Sequence, residues 1–130
     1  MHLILKDNLP FVTITVAFGE RQIAISSVLI DTGSAATILS ADSVARLGVE
    51  PAPDDILHTI RGVGGYETVF TRRATAIQIG NYELLNCDVQ IGGMDYGFEI
   101  NGILGMDILM RAGALLDLKN QEIAFPSPSD

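Results

Sequence analysis

The segment Val28-Leu29-Ile30-Asp31-Thr32-Gly33-Ser34 is chemically the most informative part of this chain. Apolar residues lead to a carboxylate, and three small residues follow it. Gly33 lets the backbone pass close to the carboxylate, which a Cβ atom would obstruct. We expect the Gly33 N–H, and the hydroxyl and N–H of Ser34, to bond the Asp31 oxygens, and the Thr32 hydroxyl to bond a backbone group across an interface. The pattern indicates a carboxylate held rigidly for acid–base chemistry, or alternatively an aspartate that caps a turn after a buried strand.

Short apolar segments separated by glycine predict strands on both sides of this segment. Residues 11–18 are rich in β-branched and aromatic side chains, Gly19-Glu20 forms a turn, and residues 21–30 form the return strand. Further strand pairs are expected at 56–60 with 67–71, 74–79 with 82–89, and 115–118 with 122–125. Two short helices are expected at 40–47, with Ser40 as its cap, and at 106–111. The sequence therefore predicts an all-β domain over residues 1–125, a closed or partly closed barrel with two short helices, followed by a flexible tail at 126–130.

The composition excludes several classes of protein. The chain has 130 residues, 48% of them hydrophobic, which is enough for one globular domain. Its formal net charge of −8 disfavours nucleic acid and anionic membrane surfaces as partners. The apolar residues 3–5 are too few for a signal-peptide core, and no apolar run approaches a membrane span. We therefore expect a soluble, cytoplasmic domain, or one excised from a longer polypeptide, without nucleic-acid or membrane partners.

Other reactive side chains give weaker indications. Asp107 is a candidate second carboxylate, or a helix N-terminal residue favoured by the helix dipole. Asp117 is a candidate for the same role, or a residue that faces solvent or pairs with Lys119. His2, His58 and Cys87 lack the spacing of metal ligands. No metal or other cofactor is predicted, and neither a serine triad nor an activated cysteine is supported.

Four motifs, in order along nearly the whole chain, resemble the retropepsin-like (retroviral-type) aspartic proteases. They are a first barrel strand at Leu9-Pro10-Phe11-Val12-Thr13-Ile14, the catalytic signature Leu29-Ile30-Asp31-Thr32-Gly33-Ser34, a glycine-rich flap at Ile60-Arg61-Gly62-Val63-Gly64-Gly65-Tyr66, and Ile103-Leu104-Gly105 before a short helix. The segment between Ser40 and Pro53 is longer than in the retroviral enzymes, so the chain looks more like the cellular or bacterial members.

The resemblance implies a single-lobe acid-protease barrel that works as a homodimer on extended polypeptides. An Asp31 from each subunit would hold the attacking water, and Thr32 would bond across the twofold axis. Gly33 and Ser34 belong to the same catalytic signature. The flap that the resemblance assigns to substrate binding consists of Arg61, Gly62, Val63, Gly64, Gly65 and Tyr66. In the family, the N–H at the position of Val63 holds a water against the substrate carbonyls.

The chain departs from the family pattern at three positions. Many retroviral enzymes pair an acidic residue with an arginine across the dimer, where this chain has Ala35 and Met106. The dimer is therefore expected to be weaker or differently supported. Arg61 either favours an acidic substrate side chain or is solvated on the outer face of the flap. Two alternatives to a protease stay open: a non-proteolytic dimerisation or peptide-binding module on the same fold, and a monomeric binding barrel in which Asp31 is structural.

Overall fold

The computed structural model describes residues 1–62, 65–94 and 98–126, with the backbone alone for residues 61, 62 and 65–67. The elements along this described part are the strands β1 (Ile4–Lys6), β2 (Leu9–Phe18), β3 (Arg21–Ile30) and β4 (Ile38–Ser40), helix α1 (Ala41–Ala45), strands β5 (Leu57–Gly62), β6 (Gly65–Ile79), β7 (Tyr82–Gly92) and β8 (Gly102–Leu104), helix α2 (Met106–Ala112), and strands β9 (Leu115–Asp117) and β10 (Glu122–Ala124).

Six strands close into a barrel in the order β2, β3, β8, β4, β7, β6 and back to β2. The closing pair joins β2 to β6 antiparallel, with Thr15 opposite Gln78. Side chains alternate along β2, so Val12, Ile14 and Val16 are buried while Thr13 is exposed. This period of two is what a barrel strand with one interior face requires. The all-β single-lobe acid-protease fold that the sequence predicts is confirmed.

Two of the neighbouring strand pairs in the barrel are parallel. β3 runs parallel to β8, with Ile30 opposite Leu104, and β4 runs parallel to β7. The ends of β3 and β8 therefore lie side by side, because parallel neighbours finish at the same edge of a sheet. The segment after β3 carries Asp31, and the segment after β8 carries Gly105.

The two chain ends meet on one side of the barrel. Leu3 N–H donates to Gln121 O at 2.8 Å, and Ile123 N–H donates to Met1 O at 2.9 Å. β10 also pairs with β9, so the first residues extend the β9–β10 hairpin by a third segment. Of the predicted tail at 126–130, residues 127–130 lie outside the described part.

Several expected boundaries are corrected. β6 is one continuous strand of 15 residues, where two strands broken near Arg72 and Arg73 were expected. Its first part pairs with β5 and its later part with β7. Arg72 and Arg73 pair in register with Val89 and Asp88 of β7, so these charged residues do not end the strand. Ser40 occupies the N-cap position of α1, but its side chain makes no capping hydrogen bond. α2 ends at Ala112, one residue later than expected, and is followed by Gly113 in the left-handed conformation. No helix in the described part is long and apolar enough to cross a membrane.

Candidate active site

Asp31 lies directly after β3 and is anchored to the neighbouring strand. Its N–H donates to Leu104 O in β8 at 3.0 Å. Ile30 is buried in the main core, and the Asp31 residue is half-buried. A rigid, buried strand therefore delivers the carboxylate to the barrel surface.

The loop after Asp31 fixes one carboxylate oxygen. Gly33 N–H donates to Asp31 Oδ1 at 2.8 Å, as the sequence predicts. A Cβ atom at Gly33 would lie 3.1 Å from the same oxygen, which crowds it. The expectation for Ser34 is wrong: its hydroxyl donates to Ala36 O at 2.7 Å, and its N–H donates to the Asp31 backbone carbonyl at 3.2 Å. Ser34 therefore shapes the loop, and the Thr32 side chain is exposed.

Gly105 lets this loop pack directly against the start of α2. An added Cβ atom would lie 2.4 Å from Ala36 O and 2.9 Å from Ser34 O. Met106 N–H donates to Ser34 O at 2.8 Å across the same contact. The two backbones touch directly, so only glycine fits at this position.

A buried network that the sequence analysis missed lies beneath the loop. The Thr37 side chain has no exposed surface, and its hydroxyl donates to Asp107 Oδ1 at 2.8 Å. The same hydroxyl accepts from Gly105 N–H at 3.1 Å, while Thr37 N–H donates to Asp107 Oδ2 at 3.2 Å. Asp107 thus ties α2 to the loop, and the idea that it supplies the second carboxylate is not supported, because both its oxygens bond Thr37. The sequence feature that could have indicated this network is the polar residue Thr37 directly before the apolar pair Ile38-Leu39.

A second group of apolar side chains packs apart from the main core. It includes an apolar row across four neighbouring strands, which consists of Phe11 on β2, Leu29 on β3, Ile103 on β8 and Ile38 on β4. Phe11, Ile38 and Ile103 are buried in this second cluster, and the half-buried Leu29 packs against it. Leu29 is two residues before Asp31, so the two share a face of the chain as it leaves β3. Ile60 of β5 packs against this cluster. The hairpin of β5 and β6 therefore lies on the same side of the barrel as Asp31.

The residues assigned to the flap that the structure describes lie at the far end of this hairpin. Arg61 pairs with Tyr66, and Gly62 with Gly65, in the backbone register of β5 and β6. Val63 and Gly64 lie outside the described residues. So does the Arg61 side chain, and the two alternatives for it stay predictions.

The remaining candidates are accounted for by local contacts. Asp117 accepts from the N–H and the side-chain amide of Asn120, at 3.1 and 2.8 Å, and these bonds lower the pKa of its carboxyl. Asp117 is exposed, as one of the two structural alternatives predicted, and its partner is Asn120 where the other alternative named Lys119. Burial raises the pKa of the Cys87 thiol, which disfavours the nucleophilic thiolate. In the part of the chain that the structure describes, no three side chains of the metal-binding types cluster.

Comparison with known proteins identifies relatives of this arrangement. A family model described as "gag-polyprotein putative aspartyl protease" matches residues 14–111, which include the Asp31 loop, both strands of the hairpin and most of α2. Among solved structures, the chain is similar to a retropepsin-like aspartic protease from Rickettsia conorii, with a TM-score of 0.68 and 21% identity over 95% of each chain. At that identity the likeness concerns the fold. A search of curated proteins finds no match.

Proposed function

This chain belongs to the gag-polyprotein aspartyl protease family, and on that premise we propose that it is an aspartic endopeptidase whose active site forms between two copies of the chain. The observation that carries the proposal is the Asp31 carboxylate, held by Gly33 at the end of a buried strand. The sequence contains one Asp-Thr-Gly, so one copy supplies one such carboxylate. The corresponding position after β8 is Gly105, which has no side chain and so offers no second acid.

The chemistry needs both an acid and a base. Two carboxylates that hold one water between them are too close for both to be ionised. The pair therefore shares one proton and titrates jointly. The ionised group takes a proton from a water, and the water oxygen attacks the peptide carbonyl carbon. The protonated group gives its proton to the carbonyl oxygen. In the second step the carboxyl group that took the water proton gives it to the amide nitrogen, and the other carboxylate takes a proton from a hydroxyl of the tetrahedral intermediate. The C–N bond then breaks, a carboxylic acid and an amine leave, and the pair again shares one proton.

Substrate recognition follows from the surroundings of Asp31. An extended polypeptide would lie between the carboxylate pair and the hairpin of β5 and β6, bonded through its backbone. Ile60 of this hairpin packs against the apolar row from Phe11 to Ile38. The exposed Thr32 is available to bond the second copy. The substrate would thus be an unfolded or locally unfolded segment.

Cleavage of an unfolded protein from acid to neutral pH tests this proposal. Wild type is compared with Asp31→Asn, whose amide oxygen can still accept the Gly33 hydrogen bond and should preserve the fold. We expect the variant to lose at least roughly 10²–10⁴-fold in rate, the usual contribution of acid–base catalysis. The wild-type rate should rise faster than linearly with enzyme concentration. If neither protein cuts at any pH, even at high concentration, the proposal fails and a peptide-binding or dimerisation module replaces it.

A further inference from the structure

An ion pair sits at the base of the hairpin formed by β5 and β6. Arg72 directs Nη2 to Asp55 Oδ2 at 2.7 Å and Nη1 to Asp55 Oδ1, so the two side chains meet as a two-pronged fork. Arg72 Nη2 also donates to Glu50 O at 3.1 Å, and the guanidinium lies 5.0 Å from the centre of the Phe70 ring. The Asp55 carboxylate in turn accepts from Ala52 N–H. One arginine therefore joins a strand, an aromatic ring and the loop that precedes β5.

This ion pair lies where the hairpin leaves the barrel. β5 pairs with β6 from Leu57 opposite Phe70 to Gly62 opposite Gly65. The pairing of β6 with β7 starts at Val69 and runs away from the hairpin. The outer part of β6 thus pairs with β5 alone among the described residues. Arg72 follows Phe70 by two residues, in the part of β6 that pairs with β7. Asp55 lies two residues before β5 begins.

A two-stranded hairpin is only marginally stable by itself, so its orientation depends on what fixes its base. Ile60 makes one such contact with the apolar row beside Asp31. The two-pronged contact between Asp55 and Arg72 makes another, because it joins the loop before β5 to strand β6. Its planar geometry restrains both distance and angle, which a single charge contact does not.

A neighbouring ion pair shows what is distinctive about this one. Arg73 and Asp88 pair across β6 and β7 through one contact of 3.1 Å, and their side chains are 66% and 60% exposed. The side chains of Arg72 and Asp55 are only 28% and 15% exposed. Exposed single-contact pairs contribute little, whereas sheltered two-pronged pairs are geometrically specific. The hydrogen bonds from Arg72 and Ala52 also lower the pKa of the Asp55 carboxyl, so the pair persists at mildly acid pH.

We propose that Asp55 and Arg72 are a positioning pair that fixes the base of the hairpin of β5 and β6 and so orients it toward the Asp31 side of the barrel. The effect of the pair on substrate binding rests on the proposed function, whereas its effect on the orientation of the hairpin does not. When the pair is broken, the hairpin samples more orientations and binds substrate less often in the productive one. The pair touches neither substrate nor the reacting atoms, and acts through the strands it joins.

The test compares Asp55→Asn with Asp88→Asn. Both substitutions remove the carboxylate partner of an arginine in β6, and the amide oxygen introduced by Asp55→Asn can still accept the Ala52 hydrogen bond. Amide hydrogen exchange in residues 57–62 and 65–70 should become about fivefold faster in Asp55→Asn and change less than twofold in Asp88→Asn. Arg72→Gln should accelerate exchange at least as much as Asp55→Asn, because it also loses the bond to Glu50 O. The double variant should be no faster than Arg72→Gln.

The kinetic readout separates positioning from chemistry. In Asp55→Asn we expect KM to rise about fivefold while kcat changes less than twofold, because the loss is in substrate binding. Arg72→Lys, which keeps the charge and loses the fork, should show intermediate exchange. Equal acceleration in β2 and β7 would indicate general destabilisation and overturn the proposal, as would unchanged hairpin exchange.

The exchange measurement needs no cleavage. A chain that never cuts but whose hairpin loosens in Asp55→Asn contradicts the proposed function and leaves the positioning pair standing. A chain that cuts, but whose hairpin exchange is unchanged in Asp55→Asn, supports the proposed function and contradicts the positioning pair.

Discussion

Replacing Gly105 by alanine would place a methyl group inside the contact between the Asp31 loop and α2. The new carbon would lie 2.4 Å from Ala36 O and 2.6 Å from the Ala36 carbonyl carbon. Ordinary contact begins at 3.4 Å, so the loop would have to retreat by about 1 Å. Gly105 has φ −92° and ψ −178°, which alanine adopts without strain. The cost is therefore steric alone.

The magnitude follows from what the retreat disturbs. Overpacking a well-packed site costs about 1–3 kcal/mol. Two hydrogen bonds cross the same contact, from Gly105 N–H to Thr37 Oγ1 and from Met106 N–H to Ser34 O. Stretching them adds about 1 kcal/mol each. We expect a total loss of roughly 3–5 kcal/mol, a large part of the ~5–15 kcal/mol stability of a typical domain.

Urea unfolding followed by circular dichroism measures this loss, with two other glycines as controls. A Cβ atom at Gly102 would lie 3.2 Å from Ile38 O, so Gly102→Ala should cost about 1–2 kcal/mol. A Cβ atom at Gly93 would meet nothing within 4 Å, so Gly93→Ala should stay within about 0.5 kcal/mol of wild type. Gly105→Ala should rank worst, whether it unfolds early or fails to fold. If its stability lies within 1 kcal/mol (roughly the spread of ordinary substitutions) of Gly93→Ala, the reasoning is refuted.

Two further predictions concern buried and surface polar groups. Thr37→Val should cost about 1–3 kcal/mol in urea unfolding, because it removes the hydroxyl that accepts from Gly105 N–H and donates to Asp107 Oδ1. A loss below about 0.5 kcal/mol would contradict the network. The pKa of the Asp55 carboxyl is lowered in the folded state, so its stabilising contribution is present above the unfolded value near 3.8 and is lost as the pH falls through the lowered folded value. Unfolding free energy should thus decrease below about pH 4 in wild type and decrease less in Asp55→Asn; parallel curves for the two proteins would contradict the assignment.

Local sequence signals were sufficient for much of the fold. The β-branched run before Gly19-Glu20 and the apolar run after it specify β2 and β3 without distant information. The three-residue strands β4 and β8 were missed, because their partners β7 and β3 are remote in sequence. The break expected near Arg72 was wrong for a related reason. Arg72 bonds a loop residue 17 positions earlier, so a charged residue there is compatible with a continuous strand.

The site divides in the same way. The contact between Asp31 and Gly33 spans two residues and could be predicted from their chemistry. The Ser34 hydroxyl has two acceptors within reach, and residue types alone did not distinguish Asp31 from Ala36. The bond between Thr37 and Asp107 spans 70 residues and depends on β3 and β8 ending together. Such a pairing is a property of topology, which the tetrapeptide pattern does not contain.

Mixing wild type with increasing amounts of Asp31→Asn at fixed total protein tests the central claim most directly. If the active site forms between two copies, mixed dimers carry one carboxylate and are inactive. Activity should then fall with the square of the wild-type fraction, so an equal mixture retains about one quarter of the wild-type rate. An activity that falls in direct proportion to the wild-type fraction would show that one chain is sufficient, and would contradict the account.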